Sequence, residues 1–81
     1  MKFNQLISKR IRKLLKERNW TQYKLAQRGG LPQSTLCCIL KNRWNTICSE
    51  TLLNVCRGFD IPITQFFDDP MFEFENIDDN D

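Results

Sequence analysis

The chain has 81 residues, of which 41% are hydrophobic and 27% are charged, as is ordinary for a single small globular domain. No apolar run approaches the about 18 residues that a membrane span needs, and the N-terminal segment MKFNQLISKR lacks the apolar core of a signal peptide. We therefore expect a cytoplasmic protein with no membrane segment.

The net charge of +2 hides a division of the chain into a basic and an acidic part. All 12 Lys and Arg residues lie in residues 1–57, where Glu17 and Glu50 are the only acids, so this part carries +10. Residues 58–81 contain the other eight acids and no base, which gives −8. A basic body favours a polyanionic partner, and nucleic acid is the most common one.

Hydrophobic spacing predicts a first amphipathic helix over residues 4–18. Ile11, Leu14 and Leu15 recur at helical intervals and are expected to face the core. The rest of this helix surface is predicted to be solvated and basic, with Lys9, Arg10, Arg12, Lys13, Lys16 and Arg18.

Residues 21–42 predict two short helices around a glycine turn. Thr21 has the hydroxyl of a good N-cap, and Gly29-Gly30 allows the positive φ that ends a helix. Pro32 suits the first turn of the next helix, which is expected to run to about Lys41. Asn42 is the best non-glycine residue for a left-handed C-cap.

A fourth helix is predicted over residues 50–59, capped by Cys48 or Ser49, and a short fifth helix follows Pro62. No segment alternates as a strand would. We place a domain boundary after residue 68. The acidic tail, residues 69–81, then has three interpretations. It is disordered, or its Phe72 and Phe74 cover the apolar surface near the fifth helix or a partner subunit, or it competes with DNA for the basic face.

Residues 21–42 resemble the helix-turn-helix of the Cro and phage-repressor type, the XRE-like or lambda-repressor-like family. The residues that carry this resemblance are Gln22, Leu25-Ala26, Gly30, Ser34-Thr35, Leu36 and Ile39. It extends into the fourth and fifth helices and covers residues 4–67. The resemblance implies a compact all-α domain of five helices that acts as a sequence-specific transcriptional regulator, with repression as the expected mode. It also implies a homodimer on double-stranded DNA, with half-sites about one helical turn apart.

In this family pattern the third helix enters the major groove and its outward side chains meet base edges. Gln33 is expected to bond an adenine edge, and Ser34 a base or a phosphate. Thr35 is a candidate base or phosphate contact, or a support of the helix. Gln22 is expected to donate to a backbone phosphate at the start of the second helix. The remaining candidate DNA contacts are Cys37 and Cys38 on the third helix and Lys41, Asn42 and Arg43 in the loop after it.

The sequence departs from the family pattern at three places. Asn42 stands where the family usually has Gly, and Thr46-Ile47 stands where it often has Asn-Pro. Cysteines occupy two outward positions of the third helix, which leaves base readout there open. Their expected contacts are thymine methyl groups or nothing.

The cysteines do not predict a metal site. Cys37 and Cys38 are adjacent on a helix and point about 100° apart, so one tetrahedral zinc ion cannot easily take both. The chain contains no His. No metal or cofactor is expected, although an oxidisable thiol on the DNA-reading surface stays an alternative.

We also expect no enzymatic activity, because the chain offers no nucleophile–base pair and no glycine loop that would hold a phosphate. The alternative function is a helix-turn-helix protein-interaction module, such as an antitoxin or an adaptor. The acidic aromatic tail favours that alternative.

Overall fold

The structure, a computed structural model, describes residues 2–43 and 47–77, and this part of the chain is helical without strands. Its helices are α1 (Phe3–Arg18), α2 (Gln22–Gly29), α3 (Gln33–Leu40), α4 (Ser49–Phe59) and α5 (Ile63–Phe66), followed by two 3₁₀ turns at Pro70–Phe72 and Phe74–Asn76. The prediction of an all-α domain with five helices is confirmed. The departure at Thr46 lies outside the described residues, and the boundary after residue 68 stays a prediction.

All five helices contribute to one apolar core. The apolar side chains predicted to face inward from α1 are buried, and so are Val55, Cys56 and Phe59 of α4, while Leu52 is partly buried against the core. Burial raises the pKa of the Cys56 thiol, which keeps this cysteine neutral in the core. Within the described residues, no helix combines the length and apolar character needed to cross a membrane.

Each of the four longer helices is followed by one residue in the left-handed conformation: Asn19, Gly30, Asn42 and Asp60, with φ between 56° and 67°. At each end, the N–H of the next residue reaches back to a carbonyl five residues earlier, as in Trp20 to Leu15 at 2.9 Å. This pattern satisfies carbonyls that would otherwise lack a partner. The left-handed ends at Gly30 and Asn42 confirm the sequence prediction.

The helix starts are less regular. Thr21 is the N-cap of α2, and its hydroxyl oxygen accepts the N–H of Lys24 at 3.1 Å, as predicted. Cys48 occupies the N-cap position of α4 but its side chain makes no capping hydrogen bond, and Ser49 is already helical.

The contact between α2 and α4 depends on two glycines. A Cβ at Gly29 would lie 2.6 Å from the carbonyl oxygen of Asn54, and a Cβ at Gly58 would lie 2.9 Å from the Leu25 side chain. Gly29 is the last helical residue of α2 rather than part of the turn, so its role is close approach and not a special φ. This contact fixes α2 and, through the turn at Gly30, sets where α3 starts.

Aromatic side chains join the C-terminal segment to the domain. The Phe72 ring packs on Phe67, Phe3 and Phe66 with ring centroids 4.8, 6.1 and 6.2 Å away. Phe74 instead is 92% exposed. The predicted coverage of the fifth-helix surface therefore holds for Phe72 and is wrong for Phe74.

Candidate nucleic-acid interface

Helix α3 has one buried and one open face. Leu36, Ile39 and Leu40 are almost completely buried. Gln33 and Ser34 are exposed at its start, where the side chains of a helix inserted into a groove reach base edges. The sequence-predicted pair Gln33 and Ser34 therefore lies together on an accessible edge.

The far end of α3 is held on α1. The Ser8 hydroxyl is buried and donates to the carbonyl oxygens of Ile39 at 3.1 Å and Leu40 at 3.4 Å. The Arg12 guanidinium donates to the same Leu40 carbonyl at 2.6 Å. These bonds reach the carbonyls at the negative end of the α3 dipole, so α3 is fixed in orientation by α1.

Gln22 is the first residue of α2 and is half-buried. The Thr21 hydroxyl takes only the N–H of Lys24, so the first N–H groups of α2 have no acceptor within the helix. A helix start of this kind is positively polarised and suits a phosphate oxygen. The position of Gln22 is thus compatible with the predicted backbone contact.

The loop after α3 presents the other predicted backbone contacts. Asn42 has a left-handed backbone, with φ 56°. Its N–H donates to the Ile39 carbonyl oxygen at 3.1 Å, and the N–H of Arg43 donates to the Cys38 carbonyl oxygen at 3.0 Å. The side chains of Lys41 and Arg43 are exposed, and neither makes an ion pair in the described residues. The turn therefore holds, directly beyond the helix, two cations that pair with no acid of the described part of the chain.

The other three candidates on α3 are less accessible than Gln33 and Ser34. Thr35, Cys37 and Cys38 are each half-buried, and both cysteines are free thiols. Cys37 and Cys38 also accept the backbone N–H groups of Lys41 and Arg43, through their carbonyls, so they help to form the loop. No group of three or more potential metal ligands occurs among residues 2–43 and 47–77.

Three arginines that are exposed or half-buried also bind the ends of other helices. Arg12 donates to the end of α3, while Arg18 and Arg28 donate to the Phe59 and Gly58 carbonyls at the end of α4. Arg18 and Arg28 also lie 5.1 and 5.2 Å from the Trp20 ring centroid. Sequence reasoning missed this role, because only the tertiary fold brings these side chains to carbonyls about 30 to 40 residues away in the chain.

Arg10 requires a correction. The sequence predicts it on the solvated surface of α1, but it is 7% exposed. Its Nε and Nη2 donate to the Phe66 and Gln65 carbonyls at 2.7 and 3.0 Å, and its Nη1 lies 3.5 Å from Asp69 Oδ2. The planar guanidinium can serve three acceptors at once, which compensates for the burial of its charge.

Two helices joined by a tight turn, with the second exposed along one polar edge, define a helix-turn-helix DNA-binding domain. Residues 10–70 match the family model of the Cro/C1-type HTH DNA-binding domain, and the chain belongs to this family. The predicted family is confirmed. This family is defined by DNA binding and not by a catalytic activity.

Solved structures share the fold. The prophage Lp1 protein 11 has 30% identity and a TM-score of 0.76, over 86% of this chain and 93% of that chain. The wild-type restriction-modification controller protein C.Esp1396I has 25% identity and a TM-score of 0.72, over 83% of this chain and 87% of that chain. The N-terminal DNA binding domain of SinR from Bacillus subtilis, at 24% identity and a TM-score of 0.70, covers 82% of this chain and 96% of that chain and supports the fold alone. No curated protein matches the chain.

Proposed function

We propose that this protein is a sequence-specific transcriptional regulator that inserts α3 into the major groove of double-stranded DNA. The observation that carries the proposal is the exposed pair Gln33 and Ser34 at the start of a helix whose other end is bonded to α1. A rigid helix that presents polar side chains at its start can distinguish base pairs by hydrogen bonding.

Gln33 reads an adenine edge by accepting and donating one hydrogen bond each, and Ser34 bonds a base or a phosphate. Thr35 supports these contacts, and the half-buried Cys37 and Cys38 touch thymine methyl groups. Gln22 at the start of α2, and the exposed loop of Lys41, Asn42 and Arg43, bind the sugar-phosphate backbone and set the position of α3.

Repression is the mode that we propose, because a protein that fills the groove and covers the flanking phosphates excludes other proteins from the same DNA. The protein acts as a homodimer on a nearly palindromic site. The side chain of Ile63 in α5 is apolar and 45% exposed, and we place the second copy against it. The likeness to a restriction-modification controller protein supports a regulatory role.

The central experiment is selection of genomic fragments by the purified protein at about 150 mM salt, a physiological ionic strength. We expect one enriched motif. The Gln33→Ala variant should lose discrimination of one base pair, about tenfold in affinity ratio, because a bidentate contact contributes about 1–3 kcal/mol.

Gln65→Ala is the matched control, since it removes an exposed glutamine side chain from α5 rather than from α3. It should select the same motif as the parent. If no motif emerges, or if Gln33→Ala and Gln65→Ala behave alike, α3 does not read bases and the proposal is wrong.

The dimer is tested separately by sedimentation equilibrium of the parent and of Ile63→Glu. A charge at position 63 would lose its hydration in the proposed contact, so we expect Ile63→Glu to be monomeric. A parent that is already monomeric, both free and on DNA, would contradict the dimer without affecting base readout.

A further inference from the structure

The segment after α5 forms a cleft with aromatic walls and an acidic rim. Phe67, Phe72 and Phe74 line a cavity of about 380 Å³, and the carboxylates of Asp68, Asp69 and Glu73 border it. We name these six residues the acidic cleft. Its volume is at the small end of the range for ligand pockets, roughly 300–1,000 Å³, and suits one long side chain.

The inner part of the acidic cleft is fixed by the fold. The Phe72 ring packs on Phe67 with centroids 4.8 Å apart in an edge-to-face arrangement. The Asp69 carboxylate accepts from Lys13 Nζ at 2.7 Å and from the Met71 N–H at 3.0 Å. The inner part of the cleft is therefore preformed, and a ligand does not need to order it.

The outer part is open and unbalanced in charge. Phe74 is 92% exposed and stands between Glu73 and Glu75. Asp68 and Glu73 are exposed and make no ion pair with any described residue, whereas Asp69 is already neutralised by Lys13 and Arg10. Among residues 2–43 and 47–77, therefore, two carboxylates without an ion pair border an exposed apolar wall.

This combination selects one chemical class of ligand. Nucleic acids and other anions are repelled by the carboxylates. A purely apolar ligand would take water away from the carboxylates without offering them a hydrogen bond. Lysine and arginine side chains have an apolar stem that packs on aromatic rings and a cationic head that bonds a carboxylate or lies over a ring.

The cleft lies away from α3. Ser8 and Arg12 on one flank of α1 contact the end of α3, and we call them the α3 flank. Arg10 and Lys13, the tail flank, contact Asp69. Ser8 and Arg10 are two positions apart on the helix and therefore point in nearly opposite directions. A ligand in the acidic cleft would leave the α3 side open to DNA.

We infer that the acidic cleft binds a lysine or arginine side chain presented by a basic segment of a partner protein. The stem lies against Phe74 and Phe72, and the head bonds Glu73 and Asp68. Binding of the side chain in the cleft does not require DNA. Simultaneous binding of this partner and DNA rests on the proposed function.

The test measures binding of a short fluorescein-labelled peptide of alternating arginine and glycine to the full chain without DNA, by fluorescence anisotropy. A peptide of alternating glutamate and glycine should not bind. Phe74→Ala should weaken binding about fivefold, because it removes the aromatic wall but keeps every charge. Glu73→Gln should weaken it about threefold.

Tyr23→Ala and Glu17→Gln are the matched controls, because they remove an exposed aromatic ring and an exposed acid outside the cleft. Both should bind the peptide as the parent does. In NMR spectra, the backbone amide chemical shifts that change on peptide addition should be those of residues 67–74. DNA binding by Phe74→Ala should be unchanged and peptide binding by Gln33→Ala should also be unchanged, so failure of the cleft and failure of the DNA proposal are separate results.

Three outcomes would overturn the inference. If Phe74→Ala binds the peptide as tightly as the parent does, the attraction is general charge attraction. If the amide shifts lie outside residues 67–74, the cleft is not the site. If the parent self-associates, does not bind the peptide, and becomes monomeric on Phe74→Ala, a second copy occupies the cleft.

Discussion

The two flanks of α1 use basic side chains in different ways. On the α3 flank, Arg12 donates to a neutral carbonyl oxygen at 2.6 Å and keeps its full charge beside the proposed DNA-binding helix. On the tail flank, Lys13 and Arg10 share one carboxylate, at 2.7 and 3.5 Å. The acids of the C-terminal segment thus offset positive charge on the tail flank of α1. They leave the positive charge on the α3 flank in place. Charge counted along the sequence does not show this asymmetry, which leaves the charge of Arg12 unpaired by any acid of the described residues, beside the helix that we propose to bind DNA.

The largest expected effect on stability comes from removing the Arg10 side chain of the tail flank. Arg10→Ala should lower the free energy of unfolding by about 3 kcal/mol, because the carbonyls of Gln65 and Phe66 lose their donors and the Asp69 carboxylate loses one of its two cations. Urea unfolding followed by circular dichroism would measure this. Arg57→Ala, which removes an exposed arginine from α4, should change it by less than about 0.5 kcal/mol. Equal effects of the two substitutions would show that the buried guanidinium network contributes no stability.

On the α3 flank, Ser8→Ala should lower the free energy of unfolding by about 1.5 kcal/mol. The carbonyls of Ile39 and Leu40 lose the Ser8 hydroxyl as a donor, while the bond from Arg12 to Leu40 persists. The same urea assay applies, with Ser49→Ala as the control at an exposed serine in the first turn of α4. Stability unchanged in Ser8→Ala would mean that Arg12 alone holds the end of α3.

The tail flank should also respond to acid. The hydrogen bond from Lys13, with that from the Met71 N–H, holds the pKa of the Asp69 carboxyl below its usual value. A carboxyl with a lowered folded pKa stabilises the fold above its unfolded pKa of about 3.9, and this contribution is lost as pH falls through the folded value. Asp69→Asn should therefore cost about 1 kcal/mol at neutral pH.

The difference between Asp69→Asn and the parent should disappear in acid. Thermal unfolding at neutral pH and below about pH 3 would measure the convergence. A constant difference across this range would show that the charge of Asp69 contributes no stability.

The helices and their ends were largely predictable because their causes are local. The apolar spacing of α1, the Thr21 cap and the left-handed residues Gly30 and Asn42 each depend on a few neighbouring residues. The candidates Gln33 and Ser34 follow from the family resemblance, and their exposure agrees with the buried positions of α3. The same pattern places Cys37 and Cys38 outward, but the structure has both half-buried.

The burial of Arg10 could not be predicted from the sequence. It depends on Asp69 and the α5 carbonyls, which are more than 50 residues away along the chain and meet α1 only in the fold. An amphipathic pattern predicts the same exposed position for Arg10 and for Lys13. In the structure Arg10 is buried, whereas the Lys13 side chain is 48% exposed. The close approach at Gly29 was missed for the same reason, because a glycine next to a turn already had a local explanation.

The smallest effect on stability, and the sharpest test of the asymmetry, comes from two lysines. Lys41 is exposed and makes no ion pair in the described residues, whereas Lys13 is bonded to Asp69 on the tail flank. Lys41→Ala should leave the free energy of unfolding within about 0.5 kcal/mol of the parent. It should also reduce the slope of log affinity for DNA against log salt by about 0.9, because one fewer phosphate is neutralised. Lys13→Ala should leave that slope unchanged, since its charge is already paired and lies away from α3. If both lysines change the slope equally, DNA binding depends on total charge, and the division of α1 into two electrostatically different flanks has no role in binding.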